Sequence, residues 1–508
     1  MRHRGFIILD FGSQFTQLIA RRLREMGYYS EIHGYDYDLQ KIRQSQPYGI
    51  ILSGGPNSVY ESQSPQRDIQ ELQQEFPILG ICYGMQLITH QLGGVVKQAQ
   101  EREYGLNYVT WSRSHHEVPV KQQVWMSHGD VVSSAPPGFV VTGLSDSGHI
   151  AAIESDRVWA VQFHPEVAHT DRGLNYLRDF CSRHCGAKAD WLAPQIKSEL
   201  MEQVQKQVGP NDHILCGLSG GVDSSVVAAL LTQTFGADRV HCVFVNNGLL
   251  RKNEFNNVMQ AYQKMGLNVH GVDSSSEFLA ALKGKTDPED KRKAIGKLFV
   301  EVFEKALDKD LPIKWLAQGT LYPDVIESVS SKGGSVTIKS HHNVGGLPER
   351  MKWGLVEPVR ELFKDEVRAL GKELGVPADI LSRHPFPGPG LAIRCLGEVS
   401  EERLHLLREA DAIFIDALRE FELYHKIWQA FCVLLPVKTV GVQGDSRTYD
   451  FVLSLRAVTS QDGMTADWYP FEFGFLREVS NRITNKVKGI NRVVYDVTSK
   501  PPGTIEWE

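Results

Sequence analysis

The chain has 508 residues, of which 42% are hydrophobic and 23% charged, with a formal net charge of −6. That acidic balance argues against a general nucleic-acid binder, and no apolar run is long enough to cross a bilayer. Seven scattered cysteines, an odd number, point to reduced thiols in a cytoplasmic protein and away from a disulfide framework. At ~150 residues per domain the length predicts about three domains.

Residues 1–5 (Met-Arg-His-Arg-Gly) run directly into an apolar strand, without the apolar segment and small-residue site of a secretion signal. From 6 to about 186, short apolar runs at 6–11, 49–52, 77–81 and 158–163 alternate with amphipathic stretches such as 15–26. The alternation predicts an α/β domain with a largely parallel sheet, whose ligands lie beyond the carboxyl ends of the strands. Cys181 and Cys185 read as helix residues, because no second ligand pair of matching spacing accompanies them.

Three of these strand ends carry chemistry. Gly80-Ile81-Cys82-Tyr83-Gly84 has the G-x-C-x-G logic of a nucleophile elbow, with cysteine in place of serine. The elbow exposes Cys82 at a helix N-terminus, where the dipole favours thiolate. In Phe163-His164-Pro165-Glu166, His164 suits the base and Glu166 the group that orients it. Ser53-Gly54-Gly55-Pro56 offers backbone amides that, with the amide of Tyr83, suit an oxyanion. Taken singly, each has an ordinary reading as a buried thiol, a turn or a loop. Together and in order they resemble the triad and oxyanion segments of class I glutamine amidotransferases. That resemblance implies attack of Cys82 on the amide of glutamine, a glutamyl thioester, and release of ammonia and then glutamate. Met126 to Asp130 (Met-Ser-His-Gly-Asp), with Tyr104-Gly105, resembles the segment shaping the glutamine pocket in that family.

A polar connector at 187–208 precedes a short apolar run, 213–215, and then Ser219-Gly220-Gly221-Val222-Asp223-Ser224-Ser225. Strand, Gly-rich turn and helix start form a phosphate cradle of backbone amides and hydroxyls. The lysine of the common nucleotide loop is absent. The string resembles the loop of the N-type ATP pyrophosphatases, which implies cleavage of ATP between its α and β phosphates. The next apolar run, 240–245, places Val245 where a nucleotide fold meets base and ribose. After the run 313–317, Asp324 and Glu327 stand at i, i+3 and, with Asp223, suit Mg²⁺ shared with phosphates. On spacing alone, a solvated acidic helix start explains them equally well. The Gly-, Ser- and His-rich stretch 331–348 is a candidate lid, and 362–374 an amphipathic core helix.

Gln318 to Ser328, Lys339 to Pro348 and His384 to Arg394 together resemble the GMP synthetase family. Asn246-Asn247-Gly248 departs from the Asp-Asn-Gly expected there, which puts any acidic role at 246 in doubt. Further on, 439–442 and 448–458 predict strands, 473–488 a helix and 492–498 a final strand. By resemblance, Lys339, Arg394, Gln443, Lys500, Ile505 and Glu506 bind the nucleotide substrate, xanthosine 5′-monophosphate (XMP), and the C-terminal region makes a homodimer.

The fold class expected is α/β: two consecutive open parallel-sheet α/β domains, 1–190 and 191–383, followed by a smaller α+β dimerisation domain, 384–508. The implied reaction consumes XMP, ATP with Mg²⁺, and glutamine. Two other readings stay open: a related adenylating amidoligase with a different carbonyl acceptor, and a non-catalytic glutamine or nucleotide sensor.

Overall fold

The computed structural model describes residues 3–112, 115, 117–305, 311–325, 353–443, 446–460, 463 and 465–508. The chain divides into two compact units, the second beginning at Ile196.

The first unit is built on a nine-stranded sheet: β1 (Phe6–Asp10), β2 (Ser30–Gly34), β3 (Gly49–Leu52), β4 (Ile78–Ile81), β5 (Val95–Trp111), β6 (Lys121–Ser134), β7 (Val140–Ser145), β8 (Ile150–Glu154) and β9 (Val158–Val161), in the order β2-β1-β3-β4-β9-β8-β6-β5-β7. β1, β3, β4 and β9 are short and almost wholly buried, and with β2 they pair in parallel. This fits their near-continuous apolar sequences. The remaining four strands are joined antiparallel, so the sheet is parallel in only one half. β6 shows why: every second residue over much of its length is buried, the pattern of a strand with one face toward solvent.

The second unit holds a five-stranded sheet of β10 (His213–Leu218), β11 (Val240–Asn246), β12 (Val269–Asp273), β13 (Ile313–Ala317) and β14 (Gly354–Val356). All its pairings are parallel, in the order β12-β11-β10-β13-β14. The chain runs outward one way from β10 to β12, then returns to the other side of β10 as β13. That makes the β10/β13 boundary the topological switch point, where an open α/β sheet leaves a crevice.

A third sheet, β15 (Gln429–Gln443), β16 (Ser446–Thr459), β17 (Asp467–Trp468) and β18 (Ile490–Tyr495), is mixed, with β18 parallel to β16. β15 starts ten residues before the strand predicted at 439. Its first half (Ala430, Phe431, Cys432, Val433, Leu434) is buried under the helix Glu401–Glu420. One hydrophobic core joins this sheet to the parallel one, from Leu215 and Val243 through Leu391 and Phe414 to Ile490.

Candidate active sites

Cys82 sits between β4 and the helix Tyr83–Gln91, with φ +52° and ψ −105°. This is a strained conformation for a residue with a side chain, of the kind that persists at sites where surroundings fix it. The surroundings here are close-packed. A Cβ on Gly84 would lie 2.5 Å from the Leu52 carbonyl oxygen, and one on Gly80 2.5 Å from Ile88 Cδ1. The flanking glycines are therefore required by contact, and the twisted backbone belongs to the cysteine itself. The amide of Cys82 donates to Val161 O at 2.8 Å, tying the elbow to β9.

His164 follows β9. Its amide donates to Trp125 O at 3.0 Å, and its carbonyl accepts from Thr170 Oγ1 at 2.6 Å. Its Nδ1 lies 2.8 Å from Glu166 Oε1, both side chains being almost fully buried. Burial alone would depress the imidazole. The Glu166 carboxylate and the adjoining Cys82 thiol outweigh it and push His164 up to about 10. The structure thus brings Cys82, His164 and Glu166 into one relay. Gly54 lies against it: an added Cβ there would sit 3.2 Å from His164 Cε1 and 3.6 Å from Cys82 Cβ. Among the described residues, the amides of Gly54, Gly55 and Tyr83 donate to no protein acceptor.

One contact escaped the sequence reading. Gln162 Nε2 lies 3.6 Å from Cys82 Sγ and is itself braced by Gln86. Its only sequence signal is its position two residues before His164. On the predicted pocket segment, Ser127 pairs with Tyr104 across β5 and β6, and Ser127 O faces Cys82 Sγ at 3.8 Å. Behind it, His128 Nε2 lies 3.1 Å from Glu103 Oε2, both buried; against the opposing effect of burial, His128 and neighbouring serine hydroxyls hold the Glu103 carboxyl down at about 2.

In the second unit, β10 leads through Ser219 to the helix Val222–Phe235, at the switch point. Gly220 has φ +77°, a conformation that glycine adopts at no steric cost. Ser219 Oγ and Ser224 Oγ lie 3.1 Å apart, and the amides of Ser219 and Gly221 donate to these two hydroxyls. Asp223, in the first helical turn, is held at both carboxylate oxygens by Lys364 Nζ, at 2.6 and 2.5 Å. Gly319, just past β13, lies against Asp223: a Cβ there would come within 3.2 Å of Asp223 Cβ. Arg383 Nη1 donates to Gly220 O at 3.0 Å. Sequence reasoning missed Lys364, because the pattern at 362–374 speaks only of its buried face, and Arg383, which no local motif marks.

Not every residue of the loop string faces the cradle. Ser225 is fully buried, and its hydroxyl contacts Gly221 O at 2.6 Å and Tyr262 OH at 2.9 Å. Val222 and Val245 are buried, Val245 within the shared core. Asn246 Nδ2 donates to Asp273 Oδ2 at 3.2 Å, and its Oδ1 accepts from Gly248 N, so it closes the turn after β11. Asp324 Oδ2 accepts from Leu321 N at 3.0 Å. Glu327, Lys339 and the stretch 331–348 lie outside the described residues, as does the side chain of Gln443. Among the described residues no three His, Cys, Asp or Glu gather to hold a metal on their own. Of the residues expected for Mg²⁺, Asp223 is held by Lys364 and Asp324 accepts from the Leu321 amide.

The tail is ordered against the third sheet. Arg394, fully buried, donates to Glu506 at 3.1 and 2.8 Å and leaves its Nη1 without a hydrogen-bond partner among the described residues. Gln429 Nε2 also donates to Glu506, at 2.8 Å. Ile505 packs on Phe431 and Val433. Lys500 Nζ donates to Gly463 O at 2.7 Å. The segment bearing Arg394 is seated by Gly390, where a Cβ would meet Leu249 O at 2.5 Å.

Three family models match the chain: glutamine amidotransferase class-I over 7–183, NAD synthase over 193–299, and the GMP synthase C terminal domain over 416–507. Similar full-length proteins include a GMP synthase [glutamine-hydrolyzing] of Bdellovibrio bacteriovorus, 72% identical over 505 residues, covering 99% of this chain and 100% of that one. Proteins of the same name from Bartonella bacilliformis and Chlorobaculum tepidum are 53% and 54% identical, each match covering 99% of this chain and 98% of the relative. With the Cys82 relay in one unit and the phosphate cradle in the other, and with relatives matched end to end, the chain belongs to the glutamine-hydrolysing GMP synthase family.

Proposed function

We propose that the protein makes GMP from XMP, with glutamine as the nitrogen source and ATP as the activating substrate. The observation that carries this reading is the pairing, in one chain, of a buried thiol–imidazole–carboxylate relay with a phosphate cradle whose own loop carries no lysine, at a sheet switch point.

In the first half-reaction His164, held protonated by Glu166, faces Cys82, which reacts as its thiolate. The thiolate attacks the amide carbon of glutamine, and the oxyanion develops toward the unpartnered amides of Gly54, Gly55 and Tyr83. The protonated His164 then gives its proton to the leaving nitrogen. Ammonia departs, and water releases glutamate from the thioester. Gln162 supports the thiolate by facing Cys82 Sγ.

In the second, the C2 oxygen of XMP attacks the α-phosphorus of ATP and pyrophosphate leaves. Ser219, Ser224 and the amides of Gly220 to Asp223 suit that pyrophosphate at the N-terminus of Val222–Phe235. Lys364, beside Asp223, supplies a movable positive charge, and Val245 is assigned to the adenine end of ATP. Ammonia attacks C2 and AMP leaves. Mg²⁺ bound with ATP would neutralise phosphate oxygens, with Asp223, Asp324 and Glu327 as the residues to hold it. Arg394, Lys500, Ile505 and Glu506, with Lys339 and Gln443, are assigned to XMP. The spare Nη1 of buried Arg394 supports this.

A homodimer is part of this reading. Val437, Val440, Val442 and Tyr449 are half-exposed or more on the paired arm of β15 and β16, an apolar surface that a second copy would cover. Seven free cysteines support a reducing, cytoplasmic setting, and no helix among the described residues is long and apolar enough to cross a membrane.

The test is pyrophosphate release from ATP with Mg²⁺ and ammonium, in the presence of XMP or control nucleotides. Release with XMP alone, accompanied by GMP, is the expected result. No release with any nucleotide from folded protein would overturn the assignment of the acceptor and leave the glutaminase half standing.

A further inference from the structure

Lys291 is the one buried lysine among the described residues, and it has no exposed surface. It lies in the first turn of the helix Pro288–Lys305, within the stretch matching NAD synthase. A lysine ammonium has three protons to donate. All three have acceptors here: Ala392 O at 3.2 Å, Cys395 O at 3.1 Å and Glu508 Oε2 at 2.5 Å. Among the described residues, Glu508 supplies its countercharge. The other oxygen of that carboxylate accepts from Gly397 N at 3.2 Å, and Arg292 Nη2 donates to the Glu508 main-chain oxygen at 2.7 Å.

The geometry links two pieces of the acceptor site. Ala392 and Cys395 flank Arg394. Glu508 stands two residues beyond Glu506, which Arg394 grips. Lys291 therefore ties down both the turn that presents Arg394 and the tail that presents Glu506. Lifting the tail would strip a buried ammonium of its countercharge, a costly state. Arg394 keeps a spare donor for a ligand, whereas Lys291 keeps none.

We propose that the Lys291–Glu508 pair is a latch that fixes the 500–508 strap in register for the nucleotide monophosphate, making both positioning residues for XMP. This rests on the assignment of Lys500 and Glu506 to XMP. It adds a part of the adenylating region to the control of acceptor affinity, and it assigns Lys291 no contact with any substrate.

The experiment uses full-length protein without glutamine. XMP affinity is read by calorimetry, and ammonium-dependent turnover is read at varied XMP and varied ATP. Lys291→Met and Glu508→Gln should each weaken XMP by about tenfold or more, while leaving kcat at saturating XMP and the KM for ATP within about threefold. Glu508→Asp, which keeps the charge, should recover most of the affinity. Lys500→Ala is the control for the strap itself. If Lys500→Ala weakens XMP and the latch variants do not, the latch is wrong and the strap assignment stands. If Lys500→Ala and Glu506→Ala bind XMP normally, the strap assignment fails and the latch with it. If the latch variants lose XMP affinity, ATP affinity and thermal stability alike, with no recovery in Glu508→Asp, the pair is a packing element and the proposal is overturned.

Discussion

Lys364 Nζ holds both oxygens of Asp223 at the N-terminus of the phosphate-loop helix. Both side chains keep substantial exposure, at 40% and 27%. An ion pair so placed adds little to stability, about 0–1 kcal/mol. Its position points instead to charge control. The phosphates of ATP would compete with the Asp223 carboxylate for the Lys364 ammonium.

Lys364→Met should therefore slow pyrophosphate release by about 10²-fold or more, the scale set by removing one preorganised donor from a developing anion. Its melting temperature should stay near that of the parent. Asp223→Asn should also impair adenylation strongly. Normal pyrophosphate release in either variant would remove the pair from the mechanism.

Cys82→Ala should abolish glutamine-dependent GMP formation and spare ammonium-dependent formation. Loss of both activities from folded protein would contradict the division of labour. The strained backbone adds a second expectation. At φ +52° a residue without a Cβ relieves strain of order 1–3 kcal/mol, against ~0.5–1 kcal/mol lost to chain entropy. Cys82→Gly should accordingly unfold at the same temperature as Cys82→Ala or higher, as measured by calorimetry.

Gly84→Ala tests the packing account of the elbow. The new methyl group would press on the Leu52 carbonyl at 2.5 Å, a backbone atom that cannot swing aside. Overpacking of this kind costs roughly 1–3 kcal/mol. Because the displaced backbone carries Cys82, glutaminase activity should fall at least tenfold, with ammonium-dependent synthesis retained. Unchanged glutaminase kinetics would show that the elbow tolerates the methyl group.

The glutaminase relay was legible in the sequence because its parts stand at strand ends in short contiguous motifs, Gly80 to Gly84 and Phe163 to Glu166. The phosphate cradle was legible for the same reason. What escaped were groups brought in from afar. Lys364 lies 141 residues from Asp223, Gln162 lies 80 from Cys82, and Lys291 lies 217 from Glu508. No local period announces such a partner. The antiparallel half of the first sheet escaped for another reason. Its long strands alternate weakly, and β5 carries polar residues on positions where a core strand would be apolar. Residues given from the loop string as a block proved heterogeneous, since Ser225 turns inward to Tyr262 while Ser219 and Ser224 stay at the open side.

The last prediction concerns pH. His164 is raised to about 10 in the folded protein, from an ordinary value of 6.5. The folded state thus holds a proton that the unfolded state has released once pH exceeds about 6.5. The stabilisation from that proton is fully present below about pH 6.5 and is lost as pH climbs through about 10. Glu166 is the largest influence raising it, and removing its charge leaves only Cys82 to oppose the depression by burial. Glu166→Gln should therefore lose glutaminase activity by about 10²-fold or more. The melting-temperature gap between parent and variant should be wide at and below about pH 6.5 and narrow steadily toward pH 10. A gap that stays constant over that interval would mean that Glu166 does not hold the proton on His164. The orienting role of Glu166 would then have to rest on geometry alone.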